Sequence, residues 1–227
     1  MQQALMPLDL YQQLQACREE MARNGVAGWK HDSIANLAAV FVPVRPRPDA
    51  AAPFTVLCVG QATRGYCPEY EPALRTYAGS VARNVEIAST HISGAAVSGA
   101  APFWRWVRHT LTLALALRQL GHAATTDDLL GCLAWSNLAK IGDTKGNPPA
   151  WTMAGQAALA ARSLRYEIRT MRPTLVVVCA GKFAITRARP VFEAVFGPTA
   201  WDGDSIEIGS WENVPVLFEV APIRRTV

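Results

Sequence analysis

No two cysteines of this chain stand in a CxxC spacing, and it contains no internal repeat or low-complexity tract. The five cysteines, Cys17, Cys58, Cys67, Cys132 and Cys179, are scattered. Three of them lie in apolar strand-like runs, where a thiol acts as a small hydrophobe. A zinc site, an iron–sulfur cluster and a disulfide framework are therefore not expected. Charge is sparse: 18% of residues are charged, with a net charge of +4 and a pI of about 8.9. That balance permits an anionic partner and tilts weakly towards nucleic acid, without the density of a basic tail. The N-terminus lacks a basic segment followed by an apolar run, and a largely apolar stretch such as Thr110 to Leu117 is far too short to span a bilayer. A cytoplasmic protein with no membrane partner is the expectation. Also missing are the GxxxxGK[ST] loop, the GxGxxG fingerprint and the GxSxG elbow. Ordinary nucleoside triphosphate or dinucleotide binding is thus not expected, and neither a cofactor nor a metal is.

Half of the 227 residues are hydrophobic, enough to bury one substantial core. Residues 1–50 read as an N-terminal helical appendage with a connector, and residues 51–227 as the main α/β domain. Leu10, Leu14, Cys17 and Met21 make a helical stripe over Leu8 to Arg23, with Asp9 able to cap the start and Gly25 the stop. A short helical piece is expected around Ile34 to Val40, and the prolines of Val42 to Pro48 favour an extended connector. Phe54 to Gly60 and Thr174 to Gly181 are continuous apolar runs ending in glycine, the pattern of parallel strands covered on both faces. A shorter strand, Cys132 to Trp135, ends in Ser136-Asn137, and a long polar loop, Leu138 to Pro149, follows it. Helices are expected over Ala73 to Thr90, Phe103 to Leu120, Met153 to Met171 and Phe183 to Phe196. Ser205 to Ile208 and Val214 to Val220 read as a closing hairpin or two edge strands. This alternation predicts a three-layer α/β/α sandwich on a mostly parallel central sheet.

In open parallel sheets, ligands bind beyond the carboxyl ends of the strands, where loops converge and helix N-termini present free amides. The rule selects Gly60 to Tyr70, Ser136 to Pro149 and Ala180 to Lys182. An apolar strand ending in Gly60-Gln61, a later strand ending in Asn137 within Ser136-Asn137-Leu138-Ala139-Lys140, and Asn147-Pro148-Pro149 follow one another in that order. Downstream come the helix segment Leu164-Arg165-Tyr166-Glu167-Ile168, then Arg172-Pro173, the strand Val176 to Gly181, and Ala221-Pro222. Taken together, from Phe54 to Pro222, the order and spacing resemble the uracil-DNA glycosylase superfamily.

The resemblance implies that Asn137 reads the edge of an extruded base through its paired donor and acceptor. It also implies that the loop after Gly60 positions the water that attacks the sugar. Here that loop offers Gln61 and Ala62 in place of a carboxylate, and a neutral amide orients water but cannot accept its proton at neutral pH. Where the family places a histidine, this chain has Ala221 before Pro222. Asp143 is the nearest carboxylate in a site loop and the candidate replacement base. Tyr66 and Tyr70 are candidates for stacking on a base, worth roughly 1–3 kcal/mol each. Arg64, Lys140, Lys145, Arg224 and Arg225 are candidates for phosphate contacts, with Ser136 beside them at the strand end. Three functions stay open. They are a glycosylase hydrolysing an N-glycosidic bond in DNA, a non-catalytic module binding DNA or single-stranded nucleic acid, and a hydrolase or transferase acting on a free nucleobase, nucleoside or other metabolite.

Overall fold

The apolar runs become the centre of one sheet. The computed structural model describes residues 3–24, 37–50, 52–62, 71–94, 102–117, 124–198 and 207–219. Its strands are β1 (Gln3–Ala4), β2 (Leu37–Val40), β3 (Val44–Arg45), β4 (Val56–Gly60), β5 (Leu133–Asn137), β6 (Ile141–Asp143), β7 (Leu175–Cys179), β8 (Glu207–Trp211) and β9 (Val214–Glu219). The helices are α1 (Leu8–Asn24), α2 (Tyr77–Ser93), α3 (Pro102–Leu117), α4 (Thr126–Cys132), α5 (Ala150–Met171), α6 (Lys182–Thr186) and α7 (Arg189–Phe196).

Seven strands pair in the order β1-β3-β5-β4-β7-β9-β8. The four central strands, β5, β4, β7 and β9, run parallel, and antiparallel strands flank them on both sides. Side chains alternate across a strand, and the two core clusters follow that alternation. Val56 and Cys58 join Val85 and Ile92 of α2 and Val107 and Leu111 of α3. Leu57 and Val59 join Leu164 and Ile168 of α5 and Val191 and Phe192 of α7. Helices therefore cover both faces, which is why β4 and β5 are fully buried along their whole length.

Several elements differ from expectation. The piece around Ile34 to Val40 yields strand β2 over its described part, because Leu37, Ala38, Ala39 and Val40 are all buried and pair antiparallel with β6. β6 in turn occupies the middle of the loop expected between Leu138 and Pro149. Val44–Arg45, expected as connector, pairs with β5, and β1 pairs with it. The N-terminal segment thus extends the main sheet, and Met6, Leu10 and Leu14 belong to its core. The helix expected over Phe183 to Phe196 is two, since Pro190 sits in the first turn of α7, where the missing N–H costs nothing. The short helix α4 was not expected; Thr125 and Asp128 cap each other's backbone at its start. Among the described residues, no helix is long and apolar enough to cross a membrane.

Candidate functional site

Gly60 and Asn137 are register partners at the carboxyl ends of β4 and β5, and Val59 and Ser136 are the pair before them. The pairing continues past the strands: the Leu138 N–H donates to Gly60 O at 2.9 Å and the Ala139 N–H to Gln61 O at 3.0 Å. The turn after Asn137 is thereby bonded to the turn after Gly60. Alternation sends Ser136 towards α5 and Asn137 towards α3. A Cβ on Gly60 would lie 2.6 Å from Asn137 Oδ1 and 3.4 Å from the Phe103 ring, so the amide and the aromatic ring of α3 converge over a residue with no side chain. Asn137 is 2% exposed, and its Nδ2 is buried with no hydrogen-bond partner among the described residues. An unsatisfied buried donor of this kind costs about 1–3 kcal/mol.

Gln61 bridges the neighbouring strand end. Its Nε2 donates to the carbonyl of Ala180, just beyond β7, at 3.1 Å, and its Oε1 accepts from Asn147 Nδ2 at 2.7 Å. A carbonyl only accepts, so the amide can take one orientation here. Asn147 is held from its other side by Arg187, whose Nη1 donates to the Asn147 carbonyl at 3.4 Å. The ends of β4 and β7 and the loop before α5 are joined by this chain of bonds. Among the described residues, these bonds leave Gln61 one hydrogen and one lone pair to offer a ligand or a water.

Lys140, expected as a phosphate contact, is instead completely buried. Its ammonium donates to Ser136 Oγ at 2.6 Å and to the Asn137 carbonyl at 2.9 Å, and pairs with Glu167 Oε1 at 2.8 Å. An ammonium has three hydrogens, and all three are engaged. Burial pushes the Lys140 pKa down and the adjacent Glu167 carboxylate opposes that shift. Ser163, one turn before Glu167 on α5, donates to the same Oε1 at 2.6 Å. Gln156, also on α5, accepts from the N–H groups of Lys140 and Ile141 at 2.7 and 2.8 Å and donates to the Ile141 carbonyl at 2.7 Å. One helix therefore holds the whole turn that leaves β5.

Asp143, the candidate base, closes a local turn by accepting the Lys145 N–H at 2.7 Å, on the strand that pairs with β2. No described contact joins it to Gln61 or Asn137. Ala62 packs against the core on the α5 face. Arg64, Tyr66, Tyr70, Ala221, Pro222, Arg224 and Arg225 lie outside the described residues. Of the expected site, the structure brings together Gly60, Gln61, Ser136 and Asn137. It adds Phe103 and Glu167, to neither of which the sequence assigned a role, and it gives Asn147 and Ala180, inside the selected strand-end segments, the particular task of holding Gln61. Glu167 did carry a signal: Ala160, Ser163, Leu164, Glu167 and Ile168 fall at helical spacing on a single buried stripe. A carboxylate on such a stripe needs a buried cation, and Lys140 supplies it.

Among the described residues, no cluster of histidine, cysteine, aspartate or glutamate could hold a metal ion. Comparison of the chain with protein-family models, curated proteins and solved structures finds no match.

Proposed function

We propose that this chain is a uracil-DNA glycosylase-like α/β/α protein that recognises a nucleobase in DNA at the joined ends of β4 and β5. The buried Nδ2 of Asn137, without a partner among the described residues, carries this reading. Such a donor is satisfied by a ligand that presents an acceptor in the plane of a ring, as the carbonyl edge of uracil, hypoxanthine or xanthine does. Phe103 supplies an aromatic surface beside it, and Arg187, bonded to the Asn147 that holds Gln61, supplies a cation where a phosphate would pass.

Recognition is better supported than hydrolysis. No carboxylate contacts Gln61 or Asn137 among the described residues, and an amide accepts no proton at neutral pH. The fixed orientation of Gln61 favours one second reading: it would hold an attacking water for slow N-glycosidic hydrolysis.

The test is titration of single-stranded oligonucleotides carrying uracil, hypoxanthine or xanthine against the unmodified strand, with product analysis for abasic sites. The expected result is a preference of about tenfold or more for one modified strand, erased in Asn137→Ala. Equal binding of all strands, or a preference that survives Asn137→Ala, overturns the reading. Binding without abasic product assigns a recognition module, and abasic product lost in Gln61→Ala assigns the hydrolase.

A further inference from the structure

We propose that Lys140 is the positioning residue of this site: its ammonium fixes the Asn137 peptide and so sets the direction in which the Asn137 amide is presented. The inference rests on the reading that Asn137 carries recognition, and it adds the device that orients that residue.

A buried ammonium is costly unless paired and fully hydrogen-bonded, by several kcal/mol. Here every donor is used, and two of its three acceptors belong to consecutive residues at the end of β5, the Ser136 hydroxyl and the Asn137 carbonyl. The third is Glu167 on α5, itself steadied by Ser163. The pair alone would be satisfied by any local acceptors. What distinguishes this arrangement is that the lysine loops back three residues to hold the carbonyl of the residue whose side-chain Nδ2 is left without a partner among the described residues. Rotation of the Asn137–Leu138 peptide would break that bond and the Leu138 N–H bond to Gly60 O together. The backbone of Lys140 is fixed as well, its N–H to Gln156 and its carbonyl accepting from the Phe41 N–H at 2.7 Å. The lysine therefore has little freedom to follow a displaced Asn137.

A stabilising ion pair and a positioning device separate when both charges are removed at once, because no lone buried charge remains. In the full chain, the Asn137 side-chain amide is identified in a proton–nitrogen correlation spectrum by its disappearance in Asn137→Ala. The double variant Lys140→Met/Glu167→Leu is then compared with the wild type without ligand. It is expected to unfold cooperatively within about 5 °C of the wild type, with the Asn137 side-chain resonances shifted or broadened. Its affinity for a uracil-containing oligonucleotide is expected to fall about tenfold or more. Unchanged Asn137 resonances in a folded double variant overturn the positioning role. Failure of the wild type to bind any modified strand overturns the function proposed above, while the unliganded spectra still decide the role of Lys140. A second measurement serves if the double variant does not fold. In the wild type, coupling across the hydrogen bond between the Lys140 ammonium nitrogen and the Asn137 carbonyl carbon supports the proposal. A resolved Lys140 signal without that coupling overturns it.

Discussion

Gly60 is a residue whose role lies in having no side chain. Its missing Cβ leaves the space in which the Asn137 oxygen sits, since a methyl there would stand 2.6 Å from Oδ1. The colliding atom is the end of a side chain rather than backbone, so Gly60→Ala displaces the amide and spares the strand. Removing a strand glycine gains about 0.5–1 kcal/mol, and local overpacking costs about 1–3 kcal/mol. The net change in unfolding free energy is expected to stay within about 2 kcal/mol, while binding of the modified oligonucleotide falls about tenfold or more. Urea unfolding and a binding titration on the same variant check both halves. Unaltered binding would show that the Asn137 oxygen has room to spare.

At the level of elements, α2 and α3 meet through His91 and Trp104, whose rings stack 5.1 Å apart with planes 8° from parallel. Burial lowers the His91 pKa below its ordinary 6.5, and its Nδ1 is buried without a partner among the described residues. With the folded pKa depressed, the unfolded chain binds more protons just below about pH 6.5. Stability should therefore fall as pH drops from neutrality into that window. Urea midpoints measured from about pH 7 to about pH 5 should show the decline, and His91→Phe should flatten it. A second element-level prediction concerns the end of α5, where Arg172 adopts a left-handed conformation with φ 47°. Arg172→Gly relieves the strain and is expected to raise stability by about 0.5–1 kcal/mol in denaturant unfolding.

The sequence made some of these elements legible and concealed others for identifiable reasons. β4 and β7 were readable because both of their faces are covered, and an apolar run with no alternation is what a strand shielded from water on both sides requires. β2 was hidden by composition: Ala38 and Ala39 favour helix, and only pairing with β6, about a hundred residues on, makes them strand. α4 is seven residues long, too short for periodicity to register, although the Thr125 and Asp128 spacing carried its cap. The meeting of Gly60, Gln61 and Asn137 was legible because strand ends are predictable places. The burial of Lys140 was not, because a lysine in a polar-looking loop reads as a surface cation until α5 is seen to bring Glu167 against it.

For the whole molecule, the consequential feature is how deeply the first fifty residues are built in. β1 and β3 form one margin of the main sheet, while Leu10, Leu14, Phe41 and Val44 are entirely or almost entirely buried. Burying each such side chain contributes about 1.5–3 kcal/mol, so together they rival the net stability of a typical domain, about 5–15 kcal/mol. A chain cut to residues 51–227 is expected to lose cooperative thermal unfolding in calorimetry. A sharp transition near that of the full chain would show the N-terminal segment to be dispensable. The extension of the β4–β5 pairing through Leu138 and Ala139 has a different consequence. Backbone held by a sheet ladder cannot swing to re-aim its side chains at an ill-fitting guest. If the proposed recognition of a base holds, such a site selects by refusal: a ring lacking an acceptor opposite Asn137 would leave that donor as unsatisfied as before and gain nothing by entering.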